Sequence, residues 1–148
     1  LYNYQNFVCD SGGSICEVVD PWNLADPVLK ALSDNLMMVW IEGTDAHTQE
    51  LVHRFDKSPK PMCYQPTFLL ACWQEYQSET GLNPDKVHPD DFIRWTYARA
   101  LAHRQPRYKQ MAKWGITLHA DDVKALLSPK SFENLVALAL DSKTVKSA

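Results

Sequence analysis

Apolar residues occupy consecutive rather than alternate positions from Leu36 to Ile41. This pattern is typical of a strand that is covered on both faces, as in a parallel sheet. A shorter apolar run, 7–9, stops at Asp10 and meets a turn of glycine and serine, which predicts a strand that ends in a loop. The run 62–64 indicates a third, short strand. The sequence therefore predicts two or three strands, all in the first half of the chain.

Helical periodicity fills the intervals between these strands. Asp26 and Pro27 are a carboxylate cap and a first-turn proline, so they predict the start of a helix. Thr44 and Asp45 predict a second helix, whose apolar stripe ends near Phe55. The other predicted helices run from 66 to 76, from 89 to a break at 105–106, from there to 114, from 120 to 127 and from 131 to 140, with a frayed tail over 141–148.

Strands that alternate with helices, followed by a mostly helical half, predict an α/β fold. The expected architecture is a partial parallel sheet with flanking helices and a helical C-terminal region. An open α/β sheet usually has about five strands, and the chain begins at Leu1 with neither a methionine nor a turn signal. We therefore expect 1–148 to be a single domain that forms the C-terminal part of a longer protein.

Composition narrows the class of protein. The chain has 148 residues, of which 45% are apolar and 22% charged, as in one ordinary domain with a real core. A net charge of -3 argues against a globally basic nucleic-acid binder. The sequence has neither a run of ~18 apolar residues nor a segment that resembles a signal peptide, so we expect a cytoplasmic protein with no membrane contact.

The cysteines and histidines do not follow a metal-binding pattern. The four cysteines form no C-x-x-C pair, which favours buried free thiols over a zinc ribbon or a disulfide framework. His47 and His53 are six positions apart, which does not place them on one helical face at ligand spacing. A zinc site is therefore not expected.

The stretch DSGGS, 10–14, is similar to the nucleophile segment of trypsin-like serine proteases. A serine nucleophile needs a base and an orienting carboxylate, which precede the serine in that fold, whereas only ten residues precede Ser11. The stretch also lacks the G-x-S-x-G arrangement of the α/β-hydrolases. Ser11 is therefore not expected to be a nucleophile.

An apolar run that ends in an acid can instead indicate a metal-binding site. In P-loop nucleotide-binding folds, a carboxylate at such a position holds magnesium directly or through water. The alternative is that Asp10 bonds only the amides of its own turn. Glu17 and Asp20 lie just after the turn and could assist the metal, although loop acids are more often surface or capping groups.

A second stretch of the sequence, 37–62, supports the P-loop interpretation. The strand near 37–41, the helix that ends in Arg54 and the proline-bearing stretch 57–62 are similar to the late strand, helix and arginine segment of small P-loop kinases of the shikimate and gluconate type. Across most of 4–140 the chain also resembles the C-terminal half of bacterial proteins described as predicted ATPases. DSGGS-like and RF-x3-PKPM-like stretches recur in those proteins.

This resemblance implies an intact protein that binds ATP and Mg2+ and transfers or hydrolyses the terminal phosphate, with an unknown acceptor. It makes Asp10 the metal-side carboxylate and Arg54 the residue facing the transferred phosphoryl group. Ser11, Gly12 and Gly13 would lie at the phosphates, with Ser14 nearby. The phosphate-binding loop, Gly-x-x-x-x-Gly-Lys-Ser/Thr, is absent from the sequence, so this chain is not expected to hydrolyse or transfer anything by itself.

Basic residues are concentrated between 92 and 119, a segment that contains six arginines and lysines and no acid. Arg104 and Arg107 flank Pro106, which predicts an exposed fork suited to phosphate. The alternative function is a non-catalytic binding module that uses the 94–113 helix to hold nucleic acid or an acidic partner. Aromatic residues interleave with the cations, as on a base-stacking surface or in a helical core. A third possibility is an interaction domain in which DSGG is only a turn.

Overall fold

The computed structural model describes residues 7–10 and 13–146, with side chains as far as residue 143. Helices predominate, and the described strands form a two-stranded parallel sheet, so the broad α/β prediction is confirmed but the sheet is small. The strands are β1 (Val39–Glu42) and β2 (Ile116–His119). The α-helices are α1 (Pro27–Asn35), α2 (Asp45–Lys57), α3 (Pro66–Thr80), α4 (Pro89–Met111), α5 (Ala120–Lys124) and α6 (Pro129–Lys146).

The sheet joins two segments that are far apart in the chain. Val39 lies opposite Ile116 and Glu42 lies opposite His119. In β2, burial alternates, and the buried side chains of Ile116 and Leu118 pack against α6. β1 begins later than the apolar run predicts, and its Ile41 is 50% exposed, so the expected coverage of both faces is not found within the described residues.

Two of the predicted strands are wrong. Residues 7–10 and 61–65 have no regular secondary structure, and Phe7 is largely exposed. A strand requires a neighbour that satisfies its backbone groups, and in the described part of the chain β1 and β2 pair with each other. The prediction also missed β2, because four residues give too short an alternation to be distinguished from a loop.

The predicted helix break at 105–106 is also wrong, because α4 continues through Pro106 to Met111. An internal proline removes one backbone hydrogen bond and costs about 3 kcal/mol. Arg104 and Arg107 flank this proline and make partly buried hydrogen bonds to other segments. These tertiary bonds hold both sides of the proline in helical conformation. The tail is likewise helical as far as Lys146 rather than frayed from 141.

Three apolar clusters surround the long helix α4 and the sheet. One of them contains Cys16, Leu29 and Met111 and so packs the N-terminal turn and α1 against the end of α4. The second joins α2 to α4, where the rings of Phe55 and Tyr97 stack with centroids 3.8 Å apart. The third joins β2 to α6. Helix α4 therefore packs against both the N-terminal turn and α2, the two elements that carry the sequence motifs.

The start of α1 is a local device that the sequence predicts correctly. Asp26 is 7% exposed, and its Oδ1 accepts hydrogen bonds from the backbone N–H groups of Val28 and Leu29 at 3.0 and 2.9 Å. Its Oδ2 accepts from the N–H of Asp20 at 2.9 Å. The bond from Asp20, with those from Leu29 and Val28, lowers the pKa of Asp26 below its ordinary value.

We expect Asp26→Asn to destabilise the protein at neutral pH and to matter less in acid. A depressed pKa means that the carboxylate stabilises the fold above the pKa of the unfolded chain, about 4, and that this contribution is lost as the pH falls through the folded value. Thermal unfolding followed by circular dichroism from pH 7 to pH 3 measures the gap between the two proteins. A gap that is independent of pH would contradict this assignment, and Asp34→Asn in an exposed pair is the control.

Candidate functional site

A groove of about 460 Å³ lies at the carboxyl ends of β1 and β2, between α2 and α4. In open α/β folds, ligands bind in the crevice outside the carboxyl ends of the parallel strands. The residues that line the groove come from five separate segments and include Gly13, Gly43, Arg54, Met62, Arg104 and Ala120. This groove is therefore the candidate site.

Three residues that the sequence singles out lie together in the groove, namely Gly13, Arg54 and Arg104. Two others, Ser11 and Gly12, lie outside the described residues. Asp10, the predicted metal ligand, is exposed in an irregular segment three positions before Gly13. The structure thus brings the end of the DSGGS stretch and the arginine of α2 to one place.

Arg54 lies on the exposed side of the groove. Its Nε donates to Oε1 of Glu50 at 2.8 Å, one helical turn earlier. The hydrogen bond and the charge of Arg54 lower the pKa of Glu50. Exposed pairs of this kind contribute little to stability, so a stronger anion can take the guanidinium from Glu50 at little cost.

Arg104 is buried, which makes the prediction of an exposed fork wrong. Its side chain is 3% exposed, and its Nε donates to Oε1 of Glu17 at 2.6 Å. A second nitrogen donates to the carbonyl oxygen of Cys63. Burial alone would lower the pKa of Arg104, but the hydrogen bond and charge of Glu17 outweigh it and raise that pKa. Arg104 therefore already holds an anion of the protein itself.

Arg107 points to the same N-terminal segment. Its Nε donates to the carbonyl oxygen of Cys16 at 2.7 Å, and a terminal nitrogen donates to that of Val19 at 2.8 Å. The guanidinium carbon also lies 5.4 Å from the centre of the Trp22 ring. These two protein bonds occupy donors of the proposed fork.

Gly13 lies in close contact with Tyr108 of α4. A Cβ atom at this position would collide with the hydroxyl oxygen of Tyr108, and that hydroxyl donates to the carbonyl oxygen of Gly13 at 3.0 Å. Burial raises the pKa of Tyr108 well above its ordinary value, so the group remains a neutral donor. The close approach explains one of the two glycines of the DSGGS stretch.

The other arginines of the basic segment are also bonded within the protein. Arg94 donates to the carbonyl oxygen of Asp56 and pairs with Asp91. Arg99 pairs with Glu79 at 3.2 Å and lies over the Trp95 ring. Four of the six cations in this segment thus have intramolecular partners. Tyr97 and Tyr108 belong to apolar clusters, as the core interpretation of the aromatic residues predicts.

The magnesium prediction rests on Asp10 alone. Across 7–10 and 13–146, the structure contains no group of three or more His, Cys, Asp or Glu side chains able to hold a metal ion. Mg2+ is usually held by one or two carboxylates, with waters and substrate phosphates completing its six ligands. An aspartate therefore has the right chemistry for Mg2+, but only together with a phosphate-bearing ligand. Of the two other acids considered, Glu17 has a side chain that is 2% exposed and bound to Arg104, whereas Asp20 is exposed and accepts a hydrogen bond from the N–H of Trp22.

Sequence reasoning missed the partners that place the predicted residues. Glu17 and Arg104 are 87 positions apart, and Tyr108 and Gly13 are 95 apart. One sequence does not indicate which acid pairs with a buried arginine, because the two residues are far apart in the chain.

Comparison with family models, curated proteins and solved structures found no match to this chain. Among the helices that the structure describes, none has the length and apolar character needed to cross a bilayer.

Proposed function

We propose that the intact protein binds ATP with Mg2+ and transfers or hydrolyses the terminal phosphate. This chain supplies one wall of the nucleotide site. The observation that carries the proposal is the groove at the carboxyl ends of two parallel strands, which Gly13, Arg54 and Met62 line together. These residues belong to the two stretches, DSGGS and RF-x3-PKPM, on which the resemblance to predicted ATPases rests.

Phosphoryl transfer needs positioning and charge neutralisation more than covalent chemistry. Arg54 offers a planar, permanently charged guanidinium at the rim of the groove. Its bond to Glu50 is exposed, whereas two parallel bonds to a phosphate would be charge-assisted and stronger. In this proposal Arg54 exchanges Glu50 for the terminal phosphate and stabilises its developing charge.

Asp10 supplies the carboxylate on the metal side. It precedes Gly13 by three residues, so its backbone lies within about 10 Å of the groove. Mg2+, when bound with the nucleotide, would neutralise phosphate charge. The chain's own residues would bind the nucleotide and orient its phosphates. Since the sequence lacks a phosphate-binding loop, hydrolysis is expected only from an intact protein that contains one.

Replacing Arg54 tests this function. We expect Arg54→Ala in the intact protein to weaken Mg·ATP binding about tenfold, because it removes one charge-assisted contact to phosphate. The matched control is Lys30→Ala, since Lys30 and Asp34 form an equally exposed i,i+4 pair on α1, which does not line the groove. Titration calorimetry with ATP, with and without Mg2+, measures both variants.

A second arm tests the metal side. Mg·ATP should raise the melting temperature of the intact protein, and Asp10→Ala should abolish the part of that rise that depends on Mg2+. If ATP leaves the melting temperature of the wild-type protein unchanged at millimolar concentration, the proposed function is wrong. Equal losses of affinity in Arg54→Ala and Lys30→Ala would remove Arg54 from the site.

A further inference from the structure

The buried pair Glu17–Arg104 joins the segments that directly follow the two sequence motifs. Glu17 ends the short helical turn Gly13–Glu17, which continues the DSGGS stretch. Its Oε2 accepts a hydrogen bond from the backbone N–H of Gln65 at 3.2 Å, and its carbonyl oxygen accepts one from the Gln65 side chain at 3.2 Å. Arg104 bonds the Cys63 carbonyl oxygen two residues earlier. A single ion pair therefore connects the turn Gly13–Glu17 that continues DSGGS, the segment 63–65 that directly follows PKPM, and α4.

Neighbouring side chains of α4 bind the same turn. Arg107 and Tyr108 follow Arg104 by three and four positions, which places all three on one face of the helix. Arg107 bonds the Cys16 carbonyl oxygen and Tyr108 bonds the Gly13 carbonyl oxygen. Helix α4 thus bonds three residues of the turn, through the carbonyl oxygens of Gly13 and Cys16 and the side chain of Glu17.

A buried ion pair of this kind contributes more to fixing the relative position of the segments it joins than to the free energy of folding. Burying two charges costs desolvation energy that their attraction barely repays, and apolar replacements of similar volume are often equally stable. What the pair supplies that an apolar contact does not is direction, because a guanidinium bonds a carboxylate and a carbonyl group at fixed angles. Glu17 and Arg104 use these angles to connect two loops that both line the groove, through Gly13 and Met62.

We infer that Glu17 and Arg104 are positioning residues, which hold the DSGGS and PKPM segments in register as one wall of the phosphate site. They do not touch the nucleotide in this arrangement. Their role is to fix the backbone at Gly13, which lines the groove three positions after Asp10, and it rests on the proposed function.

Arg104→Lys tests the inference without removing the buried charge. A lysine ammonium cannot reproduce the fork that reaches Glu17 and the Cys63 carbonyl oxygen together. Opening of the turn can be followed through Cys16, which is fully buried within it and whose pKa is raised by burial. We expect iodoacetamide to alkylate Cys16 about tenfold faster in the variant under native conditions.

Cys72 provides an internal control, because it is 4% exposed in α3. Its alkylation reports global opening and should not change. Arg99→Lys is the control variant. Arg99 lies on the same helix as Arg104, but its side chain pairs with Glu75 and Glu79 of α3. If Cys72 accelerates in parallel with Cys16, or if Cys16 keeps its wild-type rate, the pair does not hold the turn and the inference is overturned.

The kinetic arm separates positioning from stability. In the intact protein, Arg104→Lys should lower kcat for phosphate release about tenfold and change KM for Mg·ATP by less than about twofold, whereas Arg99→Lys should change neither constant. An unchanged kcat with faster Cys16 alkylation would show a structural clamp without a catalytic role, which contradicts the inference. If the wild-type protein binds no nucleotide, the proposed function and the positioning role fall together, while the alkylation arm still decides whether the pair holds the turn.

Discussion

Gly115→Ala is expected to destabilise the protein by about 3 kcal/mol or more, or to prevent folding. A Cβ atom at this position would collide with the carbonyl oxygen of Met38 and would also lie 2.6 Å from its carbonyl carbon. That carbonyl oxygen accepts the N–H of Ile116 at 2.9 Å, directly before the strands pair. Backbone atoms cannot rotate away as a side-chain end can, so the alanine must separate β1 from β2.

Gly81→Ala is the matched comparison for this prediction. Gly81 ends α3 in the left-handed region at φ 63°, and a Cβ atom there would meet no other atom within 4 Å. Its replacement should cost only about 1 kcal/mol, the conformational penalty alone. Urea unfolding of both variants measures the two losses. Equal losses would show that close approach of β1 to Gly115 does not limit the fold.

Arg104→Met is expected to destabilise the protein by about 3–5 kcal/mol, because it leaves the 2%-exposed carboxylate of Glu17 without its cation. It also leaves the Cys63 carbonyl oxygen without the donor that Arg104 provides. Methionine fills a similar volume, so most of the loss comes from the uncompensated charge and not from a cavity. Chemical denaturation monitored by tryptophan fluorescence is the measurement.

The double variant Glu17→Gln/Arg104→Met distinguishes charge from packing. Glutamine is neutral and can still accept the N–H of Gln65, which Glu17 accepts at 3.2 Å. The double variant should therefore be more stable than Arg104→Met alone, by about 2 kcal/mol or more. If the two variants are equally unstable, the loss arises from packing around Arg104, and the buried pair is not the reason.

Both predictions concern places where separate segments meet. Gly115 lies where β2 comes to β1, and Arg104 lies where α4 comes to two loops that line the groove. The groove exists only because these segments approach one another. Its proposed chemistry therefore depends on residues that do not themselves face a ligand.

Local signals predicted the starts of several elements correctly. Asp26 caps α1, Thr44 caps α2 and Pro66 begins α3. Each signal acts within four residues, because a cap or a proline satisfies or removes hydrogen bonds of its own helical turn. Such features can be read from one sequence, since the partners are adjacent in the chain.

The course of α4 shows where local reasoning fails. Pro106 predicts a break, yet the helix continues, because Arg104 and Arg107 bond distant backbone and side-chain groups on either side of the proline. The same bonds connect both arginines of the predicted exposed fork to the protein itself, with Arg104 buried and Arg107 half-buried. Their partners lie 87 and 91 positions away, beyond the reach of any local pattern.

The amino-acid sequence alone determined where α1, α2 and α3 begin and the approximate position of β1, because each depends on neighbours within a few residues. Tertiary structure decided that β2 pairs with β1, that Arg104 faces Glu17 and that Gly13, Arg54 and Met62 share one groove. The physical reason is that burial and charge pairing depend on which distant segments meet. Those meetings follow from the packing of the whole chain and not from any one stretch of it.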